Sequence, residues 1–291
     1  MFKSSFQSFN KHLSGSHFRE ISFLFVLFIS VFCRVELKAQ GNLQVTPHRI
    51  IFDGIKKAID VNLVNTGKDS ANYNISFLQY RVTDDMEVQE ITSPDPGQKF
   101  ADKNIRFFPR TVMLGPNESQ VVKLQLIKSE QLEPGEYRSH LYFRALPSQK
   151  ALGEEEKRDT SKAISIKIIP IFGVSIPVII RVGESNTTTS ISDVKLEKAP
   201  SGLNKLFMIM HREGNMSVIG NITVTHVAPD GKETRIGFET GIVVYTPNLI
   251  RKLTIDIENN SKIDLKKGRI HVTYLSQEDK PVKLAEAEQV L

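Results

Sequence analysis

One cysteine, Cys33, and no tryptophan occur in a chain of 291 residues. A single thiol excludes a disulfide framework, a cysteine-rich zinc module and an iron–sulfur centre, each of which needs several. Proline, at 13, and glycine, at 17, are too few for a collagen-like or low-complexity chain. Heptads, repeats of fixed period and confident helices longer than a turn or two are also missing. What the chain does have is 40% hydrophobic residues, enough to exclude disorder, and a length that suits roughly two domains at about 150 residues each.

The formal charge of +5 comes from 38 basic and 33 acidic residues, and part of it sits in one segment. Residues 1–20 carry Lys3, Lys11 and Arg19 against Glu20, and Ile21 to Cys33 follows as an apolar run broken only by Ser22 and Ser30. A basic start, an apolar stretch of about 7–15 residues and small residues near Leu37-Lys38-Ala39-Gln40 form the pattern of a cleaved signal peptide. The run is shorter than the roughly 18 apolar residues of a transmembrane helix, so a retained anchor is the lesser reading. A lipid anchor at Cys33 is weaker still, because Phe32 stands where a small residue is wanted. Removal of residues 1–40 leaves 33 bases against 31 acids, a net charge of +2, and no cysteine. The exported chain then holds its fold by packing and hydrogen bonding alone.

From Leu43 onward apolar residues alternate with polar ones, which favours strands. Ile59, Val61 and Leu63 alternate with polar neighbours until Asn65-Thr66-Gly67 supplies a turn. Further strands are expected over Tyr73–Val82, Ile105–Phe108, Val112–Leu114, Val121–Ile127 and Tyr137–Ala145, with Pro- and Gly-bearing turns between them. After a polar stretch from Pro147 to Lys162, every even position from Ile164 to Val182 is apolar, Pro170 included. A strand buries alternate residues on one face, so this is a very long strand, or two in series. Gly183 to Ser190 breaks the pattern as a linker. A second block of about 100 residues, the size of one immunoglobulin-like sandwich, begins at Ile191. Its expected strands are Val194–Leu196, Leu206–Met210, Val218–Val227, Thr234–Phe238, Ile242–Tyr245, Leu253–Ile257 and Ile270–Leu275, with Pro229-Asp230-Gly231-Lys232 as a hairpin turn.

Catalytic chemistry has little to draw on. His48, His140, His211, His226 and His271 lack metal-ligand spacing, so no metal site is expected. A Gly-x-Ser-x-Gly elbow, a phosphate-cradling glycine loop and a cysteine nucleophile are absent from the exported segment. Asp84 and Asp85 read as a turn before they read as an acid–base pair. The near-neutral chain offers no basic aromatic face for nucleic acid. The remaining feature is the long one-faced strand, whose apolar positions exceed the usual five or six residues. An exposed apolar strand edge is an aggregation hazard unless a partner uses it, and its physical use is β-augmentation.

The stretch Val45-Thr46-Pro47-His48-Arg49-Ile50-Ile51-Phe52-Asp53-Gly54, with Val61 to Gly67 behind it, resembles the opening of periplasmic pilus-assembly chaperones of the PapD-like type. Phe108 to Asn117 is similar to their middle segment, Gly135 to Pro147 to their penultimate strand, and the strand from Ile164 to their donor strand. The match covers roughly residues 43–183 in order.

The resemblance implies an all-β chain of two immunoglobulin-like sandwiches in tandem, over residues 41–183 and 191–291, with a linker over 184–190. It implies a non-enzymatic periplasmic chaperone that needs no cofactor and binds a fibre or pilus subunit with an incomplete β-sheet, without nucleic acid and, once processed, without a membrane. Ile164, Ile166, Ile168, Phe172, Val174 and Ile176 become the donor side chains, and Arg49 the anchor for the subunit's C-terminal carboxylate. The sequence departs from the pattern at the second basic anchor, whose place falls near Ile176-Pro177-Val178 and holds no charge. The alternative is a structural or adhesive exported sandwich protein in which the same strand cements two domains.

Overall fold

The computed structural model describes residues 42–147, 171–200, 202–258 and 263–291. The described residues belong to one compact unit that runs from Gln40 to Leu291. They form two β-sandwiches.

The first contains β1 (Leu43–Thr46), β2 (Ile50–Phe52), β3 (Ala58–Asn65), β4 (Ala71–Leu78), β5 (Tyr80–Val82), β6 (Val88–Glu90), β7 (Ile105–Phe108), β8 (Thr111–Leu114), β9 (Ser119–Leu126), β10 (Gly135–Leu146) and β11 (Gly173–Val182). One sheet has the order β1-β3-β9-β7 and the facing sheet β2-β11-β10-β4-β8, while β5 and β6 pair apart as a hairpin. Between β1 and β2 the chain crosses from one sheet to the other: β1 is antiparallel to β3, and β2 is parallel to β11. This sheet switch, with Greek-key connections, makes the sandwich immunoglobulin-like. The crossing contains a cis Thr46–Pro47 peptide.

Period-two patterning places the core. Val61 and Leu63 of β3, Tyr73 and Ile75 of β4, Val122 and Leu124 of β9, Leu141 and Phe143 of β10, and Ile176, Val178 and Ile180 of β11 all point inward and are buried. Asn65 ends β3 as its turn chemistry requires. Its side-chain amide donates to the carbonyls of Asp69 (2.8 Å), Leu114 and Gly115 (both 3.1 Å), and its Oδ1 accepts from the Gly67 N–H. Two expectations change here. Tyr73–Val82 is two strands, because β4 stays in the sheet while β5 leaves it for the hairpin. The long strand is described from Gly173 to Val182, and its earlier part, including Ile164, Ile166 and Ile168, lies outside the described residues.

The second sandwich contains β12 (Thr188–Lys198), β13 (Asn204–Glu213), β14 (Val218–Val227), β15 (Glu233–Val244), β16 (Ile250–Ile257), β17 (Arg269–Ser276) and β18 (Lys283–Val290). Its sheets run β12-β13-β16 and β15-β14-β17-β18 around a core of Leu206, Met208, Met210, Ile222, Val224, Ile236, Val272 and Tyr274. Gly231, at φ 85°, makes the left-handed turn between β14 and β15. Two of the expected strands, Thr234–Phe238 and Ile242–Tyr245, merge into β15, and the shift is absorbed by bulges against β14.

Candidate functional site

The site is assembled on the outer face of the five-stranded sheet, where the second sandwich docks. On β10 the residues alternate: Leu141 and Phe143 enter the core, so Glu136, Arg138 and His140 face outward. Register then fixes their neighbours. His140 lies opposite Pro177 on β11, Arg138 opposite Ile179, and Glu136 opposite Arg181. Since β2 pairs with β11 from Ile50 opposite Val178, Arg49 flanks Pro177 on the other side. One row across the sheet is therefore Arg49, Pro177, His140.

The row nearest the linker joins the two sandwiches. Glu136, 4% exposed, accepts hydrogen bonds from the Ser217 N–H (3.0 Å), from the Ser217 hydroxyl, from the Thr246 hydroxyl (3.4 Å) and from Arg181 Nε (3.3 Å). Arg181 also donates to the Ser217 carbonyl at 2.7 Å. Beside this network Val82, Ile179, Val243 and Tyr245 form an apolar cluster, with Ile51, Met86 and Ile219 against it. The β5–β6 turn adds a polar strap: Asn248 donates to Val82 O (2.8 Å) and Asp84 Oδ1 (3.1 Å), and Lys252 reaches Asp84 O and Asp85 Oδ2. Asp84 and Asp85 thus work as turn residues that hold the second sandwich.

The middle rows carry basic side chains with unpartnered donors among the described residues. Arg138 is 3% exposed, with its guanidinium 4.1 Å from the centre of the Tyr245 ring. Among the described residues its Nε and Nη1 are buried without a hydrogen-bond partner. Burial lowers its pKa, and the Tyr245 and Glu136 charges oppose that shift. His140, packed edge-on against Tyr80 at 4.8 Å, is pushed down to about 3 by burial and by the neighbouring Arg138 charge, so it is neutral. Arg49 is half-buried, and its Nε is another partnerless buried donor among the described residues. Arg251 of β16 comes from the second sandwich: its Nη1 donates to Val243 O at 2.8 Å, while its Nε has no hydrogen-bond partner among the described residues. Tyr274, buried beneath them, has its pKa raised by burial, and Arg251 and Arg49 both counter that rise.

The remaining expected residues lie at the start of β11. Phe172 is 51% exposed, next to exposed Ile171, Val174 is partly buried against the core, and Ile176 is 3% exposed within it. Ile176 therefore serves its own sandwich, and among the described donor positions Phe172 is the free one. β2 accompanies β11 only along Val178–Ile180, so among the described residues the Gly173–Pro177 edge has no strand beside it on that side. A Cβ at Gly173 would meet the outer end of the Tyr142 ring, which would have to turn aside to admit it.

Sequence reasoning did not select Glu136, Arg138, His140, Ser217 or Arg251. The signal was present on β10, where three polar residues alternate with an apolar face, but nothing local says that the polar face is covered by a second domain. The other histidines are dispersed, with His211 on the Ser192 hydroxyl, His226 on the Lys267 carbonyl and His271 beside Glu286. Among the described residues no group of His, Cys, Asp and Glu is arranged to hold a metal, and no helix is long and apolar enough to cross a membrane.

No family model and no curated protein matches the sequence. Among solved structures the chain is similar to several described as chaperones, some of them of fimbriae. The YadV chaperone is 11% identical, with 86% of this chain and 99% of that one aligned at a TM-score of 0.43. The class 5 fimbriae chaperone CfaA is 14% identical over 86% and 98% at 0.39, and the SafB chaperone, in complex with the SafA pilin of Salmonella enterica, 12% over 87% and 98% at 0.41.

Proposed function

We propose that the chain is an exported, periplasmic, non-enzymatic chaperone-like protein that binds a fibre subunit by strand complementation. The observation that carries the reading is the Gly173–Pro177 edge of β11, which among the described residues has no strand beside it and which begins beside exposed Ile171 and Phe172 and ends at Arg49. An unpaired edge offers main-chain hydrogen bonds, and apolar side chains at its start offer groups to fill a partner's incomplete core. Energy from a nucleotide is not needed, because exchange runs on the difference between two packed states. Ile164, Ile166 and Ile168, which alternate in the sequence at the same even positions as Phe172, extend the proposed donor set. Export through a cleaved signal peptide over residues 1–40 brings the chain to the periplasm.

The test is capture of a subunit from the native envelope by wild-type chain and by Phe172→Asp. The variant is expected to keep its melting temperature, since the side chain is exposed, and to lose capture. Equal capture by both overturns the donor assignment. Burial of Ile176 and Ile179 favours a second reading, in which β11 cements an adhesive or structural protein; an envelope preparation that yields no partner supports it.

A further inference from the structure

The hairpin turn Pro229-Asp230-Gly231-Lys232 takes no part in the site on β11, yet Pro229 and Lys232 line a cavity of about 400 Å³ in the second sandwich. The cavity lies at the end of β14 away from the junction. Ser217, just ahead of β14, meets Glu136, whereas Val227 ends the strand ten residues further on. At about 3.3 Å per residue the two places are roughly 30 Å apart.

The least exposed lining residues form its floor: His226 of β14, 4% exposed, and its cross-strand neighbour Thr234 of β15, half-buried. His226 Nε2 lies 2.8 Å from the Lys267 carbonyl, which can only accept, so the imidazole donates and its ring is held in place. One wall is the β14–β15 turn, closed by Ala228 N–H to Lys232 O and Gly231 N–H to Ala228 O, both 2.9 Å. The facing wall is the turn ahead of β17, where Lys266 N–H donates to Asp264 Oδ1 at 3.1 Å. Gly268, at φ 95°, lets that wall close on β14, because a Cβ there would lie 2.3 Å from Val227 O. Both walls are braced before a ligand arrives, which spares the ordering cost of binding.

Ala228, Pro229 and Ile263 make the sides apolar, while Lys232 and Lys267 stand exposed at the rim. Neither ammonium forms an ion pair among the described residues. Asp264 is the one carboxylate in the lining, and one of its oxygens is engaged by the backbone of its own turn. Apolar sides with a few convergent polar groups suit a small molecule, and two ammonium groups against one carboxylate favour an anion. A bare inorganic anion would leave the apolar sides uncovered. We propose that this cavity binds a small apolar acid, a ring or short hydrocarbon bearing one carboxylate. The hydrocarbon rests against Ala228, Pro229 and Ile263, and the carboxylate faces Lys232 and Lys267. This gives the second domain a ligand site of its own, whether or not β11 donates a strand.

The test follows the NMR signals of the full exported chain as naphthoate, the neutral naphthylmethanol or inorganic phosphate is added. Naphthoate is expected to bind with a dissociation constant on the order of 1 mM, usual for so small a ligand, and to shift the Thr234 and Lys267 amides and the His226 ring. The alcohol is expected to shift the same signals at about fivefold weaker affinity, the effect of exposed charge pairs, and phosphate to shift none. Lys232→Gln combined with Lys267→Gln is expected to bring naphthoate down to the affinity of the alcohol at unchanged melting temperature, since both side chains are exposed. Thr234→Trp is expected to fill the cavity and block both probes. Naphthoate that leaves these signals unmoved at about tenfold the expected dissociation constant overturns the site. Equal binding of acid and alcohol overturns the carboxylate preference, and phosphate that shifts the same signals as strongly overturns the role of the apolar sides.

Discussion

Glu136 shows how much one residue can carry. It is a buried carboxylate that accepts from a backbone N–H, two hydroxyls and a guanidinium, all but Arg181 belonging to the second sandwich. Removing one partner of such a pair strands the others, so Glu136→Gln is expected to cost about 3 kcal/mol in urea unfolding, more than Ser217→Ala at about 1 kcal/mol. His140 supplies a pH dependence. Its folded pKa of about 3 lies below the ordinary 6.5, so the unfolded state binds the extra proton. The stability associated with the neutral ring is complete above about pH 6.5 and is lost as pH falls toward 3, by about 1.4 kcal/mol per pH unit. Replacing it in His140→Phe is expected to flatten the stability curve across that window relative to wild type. Parallel curves would show that His140 is not buried neutral.

Among the elements, β11 divides its roles along its length. From Ile176 onward its inward side chains are core, and Ile176→Asp is expected to unfold the first sandwich, since it buries an unpaired charge. At the other end Gly173 lies against Tyr142, and Ala145 N–H donates to Phe172 O at 2.9 Å. Gly173→Val is expected to loosen this end alone, seen as faster hydrogen exchange at Ala145 with little change at Leu141. The strands themselves were largely readable in the sequence, because one face of each is buried and period two is then imposed on the residues: β14, Val218–Val227, was delimited by alternation alone. The misses have physical causes. β18, Lys-Leu-Ala-Glu-Ala-Glu-Gln-Val, has poor strand propensity and is held by pairing with β17, a tertiary effect that no local pattern reports. The break expected between Phe238 and Ile242 does not occur, because a register shift against β14 between Gly220 and Ile222 lets β15 run on through Gly241 as one strand.

For the whole molecule, the relation of the two sandwiches was the least readable feature. Arg49 was selected only through a family resemblance, and Arg138, His140 and Arg251 were not selected at all, because their significance depends on what lies opposite them across some 80 to 200 residues of chain. The junction combines the Glu136 network, the cluster around Ile179 and the strap from Asp84 and Asp85. Wild type is therefore expected to unfold in one calorimetric transition, and Glu136→Gln combined with Asn248→Ala in two. A single transition in the double variant would mean that the coupling lies in other contacts.

Strand complementation itself is tested by purifying the exported chain from its native envelope beside the folded variant with both Ile166→Asp and Ile168→Asp, and identifying what travels with each. The wild-type chain is expected to bring a β-rich subunit with it and the variant to come alone. An equal amount of the same partner on both chains would contradict the account.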